Sequence, residues 1–187
     1  MLQLSEEQIK AKDAILEFLL DSDQHFFVLQ GTAGTGKTTL IKEVSKDWAN
    51  QQQLLKTLDP KYQFTKFTFT ATTNKAVQAL INATGYFART IHQFLGLTVR
   101  YGQVALANHS KSEFTDLVIV IDECSYIDYN LLTMIETYTK GNKVIFMGDK
   151  TQLPPVGYNH SPVFYKEYPT FNLTKQLRQM HSPNIAK

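Results

Sequence analysis

The sequence predicts an α/β fold with a mostly parallel sheet and helices on both faces. Segments such as "DLVIVID" (116–122) and "KVIFMGD" (143–149) are apolar almost throughout, which is typical of strands buried on both faces. They alternate with helical segments, as in doubly covered parallel sheets. The 187 residues, 43% of them hydrophobic, suit one domain that buries roughly 70% of its unfolded surface.

The elements follow in order along the chain. Five apolar segments predict strands, at 25–30, 66–71, 116–122, 143–149 and 170–174. Helices are predicted before and between them, at 5–20, 40–50, 74–83 and 129–140. In such sheets ligands bind beyond the carboxyl ends of the strands. We therefore expect the loops after residues 30, 71, 122 and 149 to meet at one edge.

Capping and turn residues refine these boundaries. Ser5 is a good N-cap and Gln8 completes a capping box, while Asp128 caps the last helix. A short helical turn is predicted at 90–96. Alternation around Tyr101 predicts a small hairpin insertion over 97–109. The polar stretch 50–63 is the segment most similar to a linker.

Bulk properties exclude several classes of protein. The net charge of +2 gives no global basic field, so a polyanion site must be a local patch. The single cysteine, Cys124, excludes internal disulfides and fits a reducing cytosol. No apolar run approaches the ~20 residues that a membrane helix needs, and the N-terminus does not resemble a signal peptide. We expect a cytoplasmic protein without membrane contact.

The segment "GTAGTGKTT" fits the phosphate-loop pattern of two glycines followed by lysine and threonine. Its predicted nucleotide-binding residues are Gly31, Thr32, Ala33, Gly34, Thr35, Gly36, Lys37, Thr38 and Thr39. Lys37 would neutralise β- and γ-phosphate oxygens, and the Thr38 hydroxyl would bind Mg²⁺. The plainer interpretation is a glycine turn between a strand and a helix.

The strand "VIVIDE" ends in two carboxylates. Asp122 is predicted to hold Mg²⁺, and Glu123 to accept a proton from the attacking water. The alternative is an exposed acidic pair that caps the next segment. Cys124 follows directly and is predicted to be a packed thiol and not a catalytic one.

The segment "GDKTQLPPV" follows another predicted strand. Gln152 carries a donor and an acceptor on one head, so it can contact the γ-phosphate or the attacking water. Loss of that contact on hydrolysis would release a segment stiffened by Pro154 and Pro155. The alternative is an ordinary aspartate turn followed by prolines.

Six motifs occur in an ordered set: "GTAGTGKTT", "TATTNKAV", "TIHQFLG", "VIVIDECS", "MGDKTQLPPV" and "LTKQLRQ". Together they resemble the first motor domain of superfamily 1 DNA helicases, and most closely the RecD and Dda branch. The resemblance covers nearly the whole chain. It implies a RecA-like P-loop NTPase fold, ATP and Mg²⁺ as cofactors, and ATP hydrolysis coupled to 5′ to 3′ movement on single-stranded DNA.

The resemblance also assigns roles to residues in the nucleotide site. Gln8 resembles a glutamine that reads adenine, although its capping box is the competing interpretation. Gln152 corresponds to the coupling glutamine. Arg178 resembles an arginine that reaches the γ-phosphate, a task that suits its permanently charged fork; the alternative is a surface cation.

Two motifs are implied to carry nucleic acid. Thr73, Asn74 and the following amides would hold a backbone phosphate at a helix N-terminus; many relatives have proline where this chain has Thr72. His92 resembles a histidine that faces the single strand, or it only packs. The hairpin around Tyr101 lies where relatives insert a strand-separating pin, and Tyr101 or Phe94 could stack on a base. The alternative is that they are ordinary core aromatics, which is the favoured interpretation for Phe94.

Complete members of the family continue into a second RecA-like domain. This chain ends nine residues after Arg178, so a second motor domain or a partner protein is expected to supply the other half. Two alternatives stay open: a nucleotide-switched module that loads DNA or protein without productive turnover, and an ATPase that acts on protein or RNA.

Overall fold

The computed structural model describes residues 4–100, 103–106 and 115–176. The helices in these ranges are α1 Glu6–Leu20, α2 Lys37–Leu58, α3 Asn74–Thr84, α4 Ile91–Phe94 and α5 Tyr129–Tyr138. The strands are β1 Phe26–Gly31, β2 Lys66–Ala71, β3 Ala88–Thr90, β4 Leu97–Arg100, β5 Gln103–Leu106, β6 Leu117–Asp122, β7 Lys143–Gly148 and β8 Thr170–Leu173. Two 3₁₀ turns span Cys124–Tyr126 and Pro162–Tyr165.

Six of the described strands form one sheet in the order β3-β2-β6-β7-β1-β8. Every adjacent pair in it is parallel. The predicted α/β fold with a parallel sheet is therefore confirmed. The strand β7 lies between β1 and β6, so the segment that directly follows β7 begins between the loops that follow those two strands.

Both faces of the sheet are buried by helices, as predicted. Alternate strand residues point to opposite faces, and the two cores follow this period. Val118 and Val120 of β6 join one core with α1, α2 and α3. Ile119 and Ile121 join the other core, which includes α5 and the short helix α4. A continuous apolar strand is thus needed because neither face meets water.

The stretch 50–63 does not behave as a linker, and that prediction is wrong. Helix α2 continues to Leu58. Gln52 is only 4% exposed, and its side-chain oxygen accepts hydrogen bonds from the Thr65 amide at 2.6 Å and the Thr65 hydroxyl at 3.1 Å. Trp48 Nε1 also donates to the Thr65 hydroxyl. The polar side chain of Gln52 can be buried here because its hydrogen bonds to Thr65 connect α2 to the residue before β2.

The predicted caps are present. Ser5 and Gln8 form the capping box of α1, and the side chain of Asp128 accepts from the Leu131 amide at the start of α5. Strand β3 was not predicted, because three residues carry too little pattern. The hairpin pairs β4 with β5; its predicted turn at Tyr101 and its end at 107–109 lie outside the described residues. No helix among the described residues has both the length and the apolar character that crossing a membrane requires.

Candidate nucleotide-binding and catalytic site

The carboxyl ends of the sheet strands meet at one edge, as expected. In register, Ala71 of β2 lies beside Asp122 of β6, and Gln30 of β1 lies beside Gly148 of β7. The phosphate loop follows β1 and the acidic pair closes β6. Because β7 lies between them, its continuation through Gln152 begins between the phosphate loop and the acidic pair.

The phosphate loop turns at two glycines with left-handed backbone. Gly34 has a φ of 86° and Gly36 a φ of 83°, a conformation that side chains with a Cβ adopt only at a cost. Gly36 is the N-cap of α2, and no side chain caps this helix end. Its first amides therefore have no capping side chain, and the N-terminus of a 22-residue helix attracts an anion.

Gly31 has a different role, which is close approach. A Cβ built on it would lie 2.7 Å from Thr35 Oγ1 and 2.9 Å from the Leu173 carbonyl oxygen. Thr35 itself is buried, and its hydroxyl donates to the Thr32 carbonyl at 2.9 Å. The loop is therefore folded tightly on itself and against β8, which fixes the direction of its amides.

Lys37 lies within this loop. Its Nζ donates to the carbonyl oxygens of Gly31 at 2.6 Å and Thr32 at 3.2 Å. Burial lowers the pKa of Lys37, while the nearby carboxylates of Asp122, Asp149 and Glu123 oppose that shift. The cation predicted to meet phosphate thus lies among three carboxylates that come from β6 and β7.

The acidic pair is held by its own backbone. Asp122 Oδ1 accepts from the Glu123 amide at 2.9 Å. Burial raises the pKa of Asp122 to about 6, and the Glu123 charge adds to this effect, while the hydrogen bond and Lys37 oppose it. Glu123 has left-handed backbone, with φ 56° and ψ 42°. Neither side chain is fully exposed, so the alternative of an exposed acidic pair does not describe them.

The residues present suit Mg²⁺ held jointly with a nucleotide. Mg²⁺ binds in such sites through one or two protein oxygens, several waters and the phosphates. Thr38 in the first turn of α2 and Asp122 at the end of β6 supply that donor set. A carboxylate with a raised pKa is one that a nearby cation would stabilise. No cluster of three or more His, Cys, Asp or Glu side chains that could hold a metal by itself occurs in the described ranges.

Gln152 is positioned by an aspartate turn. Asp149 Oδ1 accepts from the amide and the hydroxyl of Thr151, and the Gln152 amide donates to the Asp149 carbonyl. Gln152 Oε1 accepts from the Ser125 hydroxyl at 3.2 Å. The turn and the sensor were treated as alternatives, but the turn is present and delivers Gln152 beside the segment that follows Glu123.

Gln8 forms the capping box and also contacts the phosphate loop. Its Oε1 accepts from the Ser5 amide at 3.0 Å, and its Nε2 is 3.4 Å from the Thr35 carbonyl oxygen. The residue is 2% exposed. Both ends of the side-chain amide are therefore engaged, and reading adenine would require at least one of these contacts to be exchanged.

The described residues of the predicted nucleic-acid set, Thr73, Asn74 and His92, follow the carboxyl ends of β2 and β3. Thr73 caps α3 by accepting from the Ala76 amide at 3.1 Å, and Asn74 is exposed beside it. His92 on α4 is partly buried, which lowers its pKa, and Asp128 opposes the shift. Phe94 is 4% exposed and belongs to the core, as predicted. Tyr101 and Arg178 lie outside the described residues.

Two polar residues of this edge were missed by sequence reasoning. Ser125 donates to Gln152, as noted above, and Thr72 donates to the Glu123 carbonyl at 3.0 Å. Both contacts join segments separated by more than 25 residues, so no local pattern indicates them. Cys124 is fully buried, and burial raises the pKa of its thiol well above its usual value, which confirms a packed thiol.

The sheet order and the glycine loop at its carboxyl edge define a P-loop nucleotide-binding domain with a RecA-like fold. The model of the AAA domain family matches residues 3–187. The chain belongs to that family, and it is a motor domain of the superfamily 1 helicase type with RecD/Dda-like character.

Individual relatives agree with this assignment. The ATP-dependent RecD2 DNA helicase of Deinococcus radiodurans is 33% identical over 179 residues, covering 94% of this chain and 22% of that protein. The ATP-dependent DNA helicase dda of Enterobacteria phage T4 is 29% identical over 194 residues, covering 97% of this chain and 41% of that protein. The chain thus spans less than half the length of these relatives.

Solved structures agree on the fold. The crystal structure of Pif1 helicase from Candida albicans superposes with a TM-score of 0.64 and 23% sequence identity, over 97% of this chain and 42% of that chain.

Proposed function

We propose that this chain is the ATP-binding and ATP-hydrolysing domain of a single-stranded-DNA-dependent DNA helicase. The observation that carries the proposal is the position of β7 between β1 and β6. Because of this strand order, the segment that carries Gln152 begins between the phosphate loop and the acidic pair. Coupled nucleotide hydrolysis requires three features at one edge of the sheet: a phosphate-binding loop, a pair of carboxylates and a residue that senses the γ-phosphate.

Each residue then has one task. The amides of the glycine loop and Lys37 would bind the β- and γ-phosphates, and Thr38 with Asp122 would hold Mg²⁺. When bound, Mg²⁺ neutralises charge that develops on the phosphate oxygens. Glu123 accepts a proton from the attacking water on its carboxylate. Gln152, whose Oε1 already accepts from Ser125, has its amide donors to offer to the γ-phosphate or the water.

The remaining assignments rest on likeness to the RecD/Dda-type helicases. Gln8 would read adenine, and Arg178 would meet the γ-phosphate. Thr73, Asn74 and His92 would contact the DNA strand, with Tyr101 at the hairpin turn. The parent motor would move 5′ to 3′ in the cytoplasm, and a second motor domain or a partner protein would supply the other face of the nucleotide cleft.

ATP turnover with and without oligo-dT tests the proposal. We expect phosphate release that single-stranded DNA stimulates. Lys37→Ala should abolish turnover because the phosphate charge is no longer neutralised. Glu123→Gln should retain nucleotide affinity while turnover falls by about 10²–10⁴-fold, the usual loss when a positioned base is removed.

Glu43→Gln is the matched control, since it makes the same chemical change in a glutamate that pairs with Lys46 on the surface of α2. It should leave turnover unchanged. Wild-type turnover by Glu123→Gln would show that the base lies elsewhere. Nucleotide binding without any turnover, with or without DNA, would contradict an ATP hydrolase and favour a nucleotide-controlled switch.

A further inference from the structure

Glu123 has an unusual backbone conformation, with a positive φ of 56°. Asp116 and Glu123 are the non-glycine residues with positive φ among those described. A left-handed conformation is strained for a residue with a Cβ, and it persists only where surrounding contacts hold it. The conformation matters because φ and ψ of Glu123 set the direction in which its side chain, and so its carboxylate, leaves the backbone.

One residue holds both peptide groups around Glu123. The amide of Thr72 donates to the Asp122 carbonyl at 3.2 Å, and the hydroxyl of Thr72 donates to the Glu123 carbonyl at 3.0 Å. These two carbonyls flank the Glu123 Cα on either side. Fixing both peptide planes fixes the rotations between them, so Thr72 acts as a clamp on the proposed base. The Tyr126 amide also reaches the Glu123 carbonyl, at 3.2 Å.

The clamp adjoins the loop that is proposed to grip DNA. Thr72 is followed directly by Thr73, the N-cap of α3, and Thr73, Asn74 and Lys75 are exposed. No residue separates Thr72 from the N-cap Thr73. A displacement of these exposed residues by a bound strand would therefore act on the neighbouring Thr72 hydrogen bonds.

We propose that Thr72 is a positioning residue, which holds Glu123 in its left-handed conformation and transmits contacts at residues 73–75 to the carboxylate. This inference rests on the proposed function, because it takes Glu123 as the base. It adds a physical connection between the nucleic-acid loop and hydrolysis, carried by the Thr72 hydroxyl and amide.

The test replaces the hydroxyl without changing the shape of the side chain. In Thr72→Val, we expect kcat with oligo-dT to fall about tenfold, the size expected from the loss of one well-made hydrogen bond. The KM for ATP should change less than about twofold, because the phosphate loop is untouched. DNA stimulation should fall more than the basal rate. Thr72→Ser retains the hydroxyl and should restore kcat and stimulation together.

Thr70→Val is the matched control. Thr70 lies two residues before Thr72, on β2, and is fully buried, and its hydroxyl donates to the Val120 carbonyl at 2.8 Å. Its loss should lower the melting temperature but leave kcat and DNA stimulation unchanged. Equal loss of kcat in both variants would reduce Thr72 to a stabilising residue. Wild-type kcat and stimulation in Thr72→Val would overturn the inference. Two further measurements separate this failure from others: normal turnover by Glu123→Gln would show that the base lies elsewhere, and nucleotide binding without turnover by the wild type would contradict the proposed function.

Discussion

Asp122 shows how a side chain can serve the proposed site at a cost to the fold. Its carboxylate is largely surrounded by protein, which raises its pKa to about 6 from an ordinary value of 3.8. The folded state therefore disfavours the charged form. The negative charge of Asp122 lies where the proposed Mg²⁺ would offset it. Residues at functional sites often lower the stability of the fold in this way.

We expect Asp122→Asn to stabilise the metal-free protein at pH 7.5 by about 1–3 kcal/mol, the size that a shift of roughly two pKa units implies. Well above pH 6 the carboxylate is charged in both the folded and the unfolded state, so the full cost to stability is present. Between about pH 6 and 4 the folded state binds more protons than the unfolded state, so the wild type gains stability as pH falls. The difference in the free energy of unfolding between Asp122→Asn and the wild type therefore becomes smaller.

Urea unfolding across this pH range, without metal, measures the effect. Saturating Mg²⁺ and nucleotide should stabilise the wild type more than Asp122→Asn. The claim that burial disfavours the charged form of Asp122 would be contradicted if Asp122→Asn were less stable than the wild type at pH 7.5. It would also be contradicted if the stability difference between the two proteins grew as pH falls.

At the scale of elements, β7 is pressed against the turn that carries the acidic pair. A Cβ built on Gly148 would lie 2.6 Å from Cys124 Sγ and 3.3 Å from the Cys124 amide nitrogen. Behind that turn, the buried Ser161 hydroxyl donates to the carbonyls of Cys124 and Ile127. The 3₁₀ turn after Glu123 is thus enclosed by β7 on one side and by residues following Gln152 on the other.

Gly148→Ala should therefore be overpacked. We expect a loss of about 1–3 kcal/mol in the free energy of unfolding, as for other insertions into well-packed cores. Cys124→Ala removes the sulfur that the new methyl group meets, so the double variant should recover part of the loss. Thermal unfolding of the two single variants and the double variant gives the coupling; strictly additive losses would show that the close contact with sulfur is not the cause.

At the scale of the whole molecule, the described residues form a RecA-like domain with the candidate nucleotide site at the carboxyl edge of its sheet. Translocation by a two-domain motor requires two grips whose separation changes with the nucleotide. In such motors an arginine from the opposite side of the cleft can contribute about 10³–10⁵ in rate. In the proposed motor, this domain would supply one of the two sides of the nucleotide cleft.

We expect the 187-residue chain, purified alone, to bind single-stranded DNA in a strongly salt-dependent way and to hydrolyse ATP slowly. It should not unwind duplex DNA. A strand-displacement assay on a tailed duplex, with sizing of the active species, measures this. Robust ATP-dependent unwinding by a monomer would contradict the prediction, whereas unwinding by a self-associated form would show that a second copy supplies the other grip.

The sequence by itself determined the sheet, the phosphate loop and the acidic pair. Each of these depends on a local signal: unbroken apolar strands, glycines at a fixed spacing from Lys37, and carboxylates at the end of a strand. The ordered motifs also indicated the family. The N-caps Ser5 and Asp128 were predictable for the same reason, because a cap and its partner amide lie within three residues.

Only the tertiary structure decided which residues meet across the sheet edge. Thr72 contacts Glu123, Ser125 contacts Gln152, and Gln52 fastens α2 to Thr65. Each contact depends on the order and register of strands, or on where a long helix ends, and neighbouring residues carry no signal for either. A hydroxyl or amide looks the same in a sequence whether it meets water or a buried carbonyl. The physical difference arises only when burial removes water and leaves the hydrogen bond to be made within the protein.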